Sequence, residues 1–274
     1  MVRRPLGNHH DGPDTLLVTS DTTQDRPAAA ETGPLPDLIA PARVVLWGFD
    51  GPICSLFGRH PAERLATDLV GWLERRGLRG LLTEAERDGL CPRAVLRAVG
   101  RRHPGGDVVA ELDERLAAEE VRAAASAMPT AYADPLIRTW TAVGVRMAVV
   151  TDNSPRAVLA YLTSRGVLPC FGPHIYGRTP DHGLLKLHPH GIHRALGAMG
   201  AAPSEALVIG GAPSDCAAAA ETGVPFLGYA RGERGAASLR AAGADVVVRS
   251  LEPLLGVIRR GPAPGQAPAR RAGA

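Results

Sequence analysis

Lys186 is the single lysine in a chain whose 31 basic residues are otherwise all arginine. An ammonium is a compact point charge, whereas a guanidinium is a planar fork. The lone lysine therefore has two readings. It marks a site that needs the compact cation, or it is a chance survivor of a composition biased toward Ala, Arg, Gly and Pro. It lies in GLLKLHPHGIHRAL, ahead of a helical pattern. His190 and His193 share a helix face there. No third ligand stands near them, so they and His188 read as surface or helix-start residues rather than a metal site. Asn153 or Ser154 can cap the helix that follows VVTDNS, and a helix N-terminus favours anions. The cysteines Cys54, Cys91, Cys170 and Cys216 form no CxxC pair. That argues against a zinc site or disulfide framework and sets the expectation of a reducing cytoplasm.

These groups need strands and helices to position them. Short apolar runs at Arg43–Phe49, Val145–Thr151, Ala206–Gly210, Pro225–Tyr229 and Asp245–Val248 read as buried strands, with a short extra one at His174–Tyr176. Helical patterns at Asp134–Val143, Pro155–Arg165, Pro189–Met199, Ser214–Thr222 and Gly235–Ala242 separate them. Such alternation predicts an α/β fold, a parallel sheet with helices on both faces. Between the first two strands, however, residues 60–130 carry only helical signals. That is several helices where a crossover needs one, so the stretch reads as an insert emerging after strand one. In open α/β sheets ligands bind beyond the carboxyl ends of the strands, so such an insert would cover the site.

Three strand-end segments, VVLWGFDGPI, VVTDNS and ALVIGGAPSDCAAAAETGVPFLGYA, and the pre-helix segment GLLKLHPHGIHRAL occur in the order of the motifs of the haloacid dehalogenase superfamily. Residues 43–250 resemble its phosphatase branch, which has a helical cap after strand one. The resemblance implies a Rossmannoid core at 43–58 and 131–260 and a cap at 59–130. The family's first motif is DxDG, whose first Asp is the nucleophile and whose second is the general acid/base. Asp50 and Gly51 match the latter part, but the nucleophile position is Gly48, which can neither attack phosphorus nor ligate metal. Thr151 matches the second motif and Lys186 the third, although Leu187 follows where the family often has proline. These residues, with Asn153 and Gly51, are the implied phosphate contacts. The fourth motif is commonly GDxxxD. Asp215 matches its second Asp, while Gly211 stands at the first. The implied cofactor is Mg²⁺, with Asp50 and Asp215 as the carboxylates that remain and binding weakened or lost.

Composition excludes several other functions. A formal net charge of +3 spread along the chain is too weak to argue for nucleic acid. No apolar run is long enough to span a bilayer, and the N-terminus lacks a secretory apolar core. Residues 1–42 and 261–274 have no apolar period and read as disordered arms. Three readings follow. The chain is a catalytically impaired phosphatase-like domain that keeps a phosphate pocket, a working Mg²⁺-dependent hydrolase in which Asp50, Asp215 or Asp152 takes over the missing roles, or a domain for protein contact only. The expected partner is phosphate or a small phosphorylated molecule. Substrate identity and oligomeric state are not legible.

Overall fold

The computed structural model describes residues 35–89, 91–179 and 189–260. Lys186 lies outside the described residues. Among those described, the strands are β1 (Val44–Trp47), β2 (Cys54–Ser55), β3 (Met128–Pro129), β4 (Arg146–Val150), β5 (Ile175–Tyr176), β6 (Ala206–Gly210), β7 (Phe226–Tyr229) and β8 (Val246–Val248). The helices are α1 (Leu35–Ile39), α2 (Ala62–Arg75), α3 (Glu84–Asp88), α4 (Pro92–Arg102), α5 (Asp107–Ser126), α6 (Ala133–Ala142), α7 (Pro155–Ser164), α8 (His190–Met199), α9 (Pro213–Thr222), α10 (Glu233–Ala241) and α11 (Glu252–Arg260).

Six of the strands form one parallel sheet in the order β5-β4-β1-β6-β7-β8. The chain starts in the middle at β1, builds outward through β4 and β5, then crosses back to β6. The topological switch point therefore falls at β1, where a ligand is expected. Register levels the strand ends. Trp47 lies opposite Val149 on one side and Ile209 on the other, so Gly48 is level with Val150 and Gly210.

Side chains along β1 alternate between faces with the period of a strand. Val45, Trp47 and Phe49 enter the larger core with Trp140, Tyr161 and Leu136. Val44 and Leu46 face the other way, onto Ile192, Ala195 and Ala219 of α8 and α9. By parity Gly48 belongs to this second face. The rings of the larger core meet edge to face, Trp47 on Trp140 at 5.7 Å and Phe49 on Tyr161 at 5.6 Å between centroids, a preferred aromatic geometry.

After β1 the chain leaves the sheet for helices α2 to α5. Their inner faces make a separate apolar cluster that includes Leu69, Trp72, Leu73, Val95, Leu96, Leu112 and Leu116. A two-stranded antiparallel ladder, Cys54 opposite Pro129 and Ser55 opposite Met128, ties the exit of this insert to its return. The last turns of α5 rejoin the larger core through Ala123 and Ala124.

Two features depart from the sequence reading. The N-terminal arm was expected to run through residue 42, yet Leu35 and Ile39 of α1 are buried in the larger core. A five-residue amphipathic turn is too short to show a period, so the sequence could not reveal it. Helix α11, with Leu254 and Leu255 buried, likewise lay beyond the helices expected. No described helix is long and apolar enough to cross a membrane.

Candidate functional site

The loop after β1 is fixed by its own backbone. Gly51 adopts φ +112°, a conformation open to glycine, and its N–H donates to Cys54 O at 2.7 Å. The Asp50 carboxylate accepts the Leu56 N–H at 3.0 Å. Thr130 donates its hydroxyl to Gly51 O and accepts from Arg231 at 3.3 Å, which pins the loop to the return strand of the insert. Cys54 is buried in the core, and that burial, with the Asp50 charge beside it, pushes its thiol well above its ordinary pKa.

Gly48, Thr151, Asp152 and Asp215 line one cavity of about 50 Å³ at the carboxyl rim of the sheet, together with Arg178, Thr179, His190 and Arg194. Gly211 adjoins the same rim, since a Cβ built on it would lie 3.5 Å from Asp50 O. A second cavity, of about 140 Å³, lies between the insert and the segment that follows β1 and is lined by Asp50, Phe57, Cys91, Arg93 and Glu120. Of the residues that the motifs singled out within the described chain, Gly48, Thr151 and Asp215 line the first space and Asp50 the second. Thr179 and His190, which border the stretch containing Lys186, both line the first.

The beginning of α7 differs from expectation. Thr151 donates to Asn153 Oδ1 at 2.9 Å and accepts the Asn153 N–H at 3.2 Å. Asn153 was expected to meet phosphate, but its Nδ2 donates to Glu120 Oε1 at 2.9 Å, and the Ser154 N–H donates to Glu120 Oε2 at 2.8 Å. The anion at the head of α7 is therefore the protein's own carboxylate, delivered by α5. Arg178 completes the cluster. Its Nη1 donates to both Glu120 oxygens, at 3.1 and 3.0 Å, and to Asp152 O at 2.8 Å. Its Nε donates to Asp113 Oδ1 at 2.6 Å. Burial works against the guanidinium charge, but Glu120 and Asp113 outweigh it and hold the Arg178 pKa above its ordinary value.

Glu120 and Arg178 were not found from the sequence. A signal for Glu120 was present, because Leu112, Leu116, Glu120 and Ala124 are four apart and all buried on α5. A carboxylate in the apolar stripe of a helix must find donors. Arg178 carried no such signal in a chain where arginine is the default cation.

The carboxylates at the rim do not fit a Mg²⁺ centre. Asp215 Oδ2 accepts the N–H groups of Gly211 and Ala212, both at 3.0 Å, and so closes the first turn of α9. Asp50 is held by Leu56, and Gly48 and Gly211 have no side chain to offer. Among the described residues no three His, Cys, Asp or Glu are grouped to hold a metal ion.

A parallel sheet with a helical insert after its first strand defines a class of capped, Rossmann-like α/β folds. Residues 44–223, more than half of the chain, match the haloacid dehalogenase-like hydrolase family, and the chain belongs to it. Solved structures agree in fold. The chain is similar to a haloacid dehalogenase-like hydrolase from Bacteroides fragilis, with 21% identity over 78% of this chain and 99% of that one and a TM-score of 0.58. It is similar to CbbY from Rhodobacter sphaeroides, solved in complex with phosphate, with 20% identity over 80% and 99% of the chains and a TM-score of 0.57. A HAD family hydrolase from Deinococcus radiodurans, with bound phosphate and sodium, gives 24% identity over 80% and 98% and a TM-score of 0.52. No curated protein matches the chain in sequence.

Proposed function

We propose that this chain binds phosphate or a small phosphomonoester at the rim of the sheet but lacks the covalent route for hydrolysing it. One observation carries the reading. Gly48 lies at the carboxyl end of the central strand, in the same cavity as Thr151 and Asp215, and presents no nucleophile there. In the family the residue at this position both attacks phosphorus and ligates Mg²⁺, so one change removes two functions. Removing a nucleophile elsewhere has cost on the order of 10⁶ in turnover, with binding and electrostatic terms leaving a smaller residual rate.

Binding survives this loss in the proposal. Thr151 can turn its hydroxyl from Asn153 toward a phosphoryl oxygen, and Lys186, by its motif, supplies an ammonium. With fewer carboxylates than the family pattern offers, the rim is less hostile to an anion. The experiment is a pair of assays on the unmodified protein. A generic aryl phosphate should show no turnover above background with or without Mg²⁺, while titration calorimetry should detect inorganic phosphate. Mg²⁺-dependent turnover would instead favour a working hydrolase in which Asp50 or Asp215 has taken over the chemistry.

A further inference from the structure

Helices α4 and α7 both open with Pro followed by Arg, at Pro92–Arg93 and Pro155–Arg156. A cation in a first turn works against the helix dipole, and neither turn holds an acidic residue to offset it. Arg156 is answered from outside its helix by Glu114 at 2.7 Å, whereas Arg93 pairs with no carboxylate among the described residues. The Arg93 guanidinium makes one hydrogen bond, from Nη1 to Asn153 Oδ1 at 3.4 Å. Its Nε and Nη2 have no partner and, unlike Arg178 Nη2, keep solvent-accessible surface. Asn153 Oδ1 also accepts the Thr151 hydroxyl, at 2.9 Å. Arg93 Nη1 and Thr151 Oγ1 therefore lie no further apart than these two contacts laid end to end. Arg93 lines the cavity of about 140 Å³, whose walls are otherwise partly apolar, with Phe57, Ala62, Pro92 and Leu116. One water needs roughly 10–15 Å³ by the same measure, so the space admits a small organic molecule.

We infer that Arg93 determines specificity at this site by taking the carboxylate of a small phosphorylated acid whose phosphoryl group lies at Thr151. The inference rests on the proposed phosphate-binding role of the rim and adds the substrate class. A guanidinium presents a planar fork that matches a carboxylate with two parallel hydrogen bonds. The distance from Thr151 to Arg93 suits a ligand with about two or three carbons between its anionic groups, at roughly 1.5 Å per bond. Phe57, Pro92 and Leu116 offer apolar walls to that carbon chain. Asp50 and Glu120 also line the cavity and oppose an anion. The Glu120 charge is met by Arg178 Nη1, and Asp50 Oδ1 is held by the Leu56 N–H, so the ligand carboxylate belongs at the Arg93 end. Arg93 is carried by the insert and Thr151 by the sheet, so such a ligand would be read by both at once.

The test is titration calorimetry of the full chain with 3-phosphoglycerate, glycerol 3-phosphate and inorganic phosphate. The first two differ only in a carboxylate against a hydroxymethyl group. The unmodified protein should bind 3-phosphoglycerate at least about 10-fold more tightly than glycerol 3-phosphate, the worth of a charged hydrogen bond. Arg93→Gln should bring 3-phosphoglycerate down to the level of glycerol 3-phosphate. Arg93→Lys should keep part of the preference, since an ammonium attracts a carboxylate without the fork. Melting curves without ligand report whether each variant folds. If Arg93→Gln does not fold, the matched pair on the unmodified protein and on Arg93→Lys decides. Equal affinity for the matched pair, or a preference that persists in Arg93→Gln, would overturn the role of Arg93 and leave the phosphate-binding reading standing. No binding of any of the three ligands by the unmodified protein would overturn both.

Discussion

Gly48 and Gly211 stand where the backbone does not require glycine. Neither has a positive φ, unlike Gly51. A Cβ at Gly211 meets only ordinary contacts, at 3.4 Å and beyond, while one at Gly48 lies 3.3 Å from Ile209 O and needs a shift of a few tenths of an ångström. By contrast Gly210 has no room, since a Cβ there would lie 2.5 Å from that of Asp215. Gly211→Asp should therefore leave Tm nearly unchanged and Gly48→Asp should lower it slightly, which thermal melts can check. Lys186→Ala should weaken phosphate binding by about 1.5–3 kcal/mol, the range for charged hydrogen bonds, and unchanged affinity in calorimetry would count against its motif-derived role. Glu120→Ala should destabilise the protein by about 3–5 kcal/mol, because it leaves the buried Arg178 short of a partner. Denaturant unfolding measures that loss, and Glu120→Gln should cost less. At this scale the place of a motif residue was legible, since Thr151 and Asp215 line one cavity, but its role was not, since Asp215 closes the first turn of α9. The sequence was not legible where function depends on a partner far along the chain. Nothing near Asn153 announces that its amide is met by Glu120, 33 residues earlier.

The strands were readable because buried parallel strands are short apolar runs, and those runs have few alternatives. Ala206–Gly210 was placed to the residue, and the others shifted by a residue or two at their ends. The ladder of β2 and β3 was not foreseen, since two-residue strands carry no period. The insert was recognised as helical, but its function as a roof depends on α5 lying on α7, a tertiary fact. The insert holds itself together through its own cluster, so Leu96→Ala should cost about 2–5 kcal/mol through the cavity it leaves. Denaturant unfolding would measure it. Helix α3 begins with a reciprocal cap, in which the Thr83 N–H donates to Glu86 at 2.9 Å and the Glu86 N–H donates to Thr83 Oγ1 at 3.3 Å. The Thr83 N–H, with Arg102 adding to it, lowers the Glu86 pKa from 4.5 to about 2. A depressed carboxylate pKa stabilises the fold above the unfolded value and loses that contribution as pH falls from about 4.5 toward about 2. Glu86 is partly exposed and lies at the surface, where water screens its charge, so the effect should be small. Acid titrations of the protein and of Glu86→Gln should converge at the low end of that window, and parallel curves throughout would contradict the role of this cap.

For the molecule as a whole, packing on the core reaches back at least to Leu35, ahead of the start expected near residue 43. A fragment spanning residues 35–260 should melt cooperatively near the full-length temperature. One beginning at Arg43 should be less stable, by about 1.5–3 kcal/mol for each fully buried side chain lost, because Leu35 and Ile39 leave the core. Calorimetric melts of the two fragments would show the difference. Between its ends the protein has a parallel sheet with a helical insert after its first strand, and the proposed function takes Gly48 as standing where the family's nucleophile would be. The measurement that bears most directly on this claim is aryl phosphate hydrolysis by four proteins: the unmodified chain, Gly48→Asp, Gly211→Asp and the double variant, each with and without Mg²⁺. The two positions serve one catalytic unit, so their effects should not add. The account predicts background rates for the unmodified chain, little recovery in either single variant, and clear Mg²⁺-dependent turnover in the double variant. Equal Mg²⁺-dependent turnover by the unmodified chain and the double variant would contradict it.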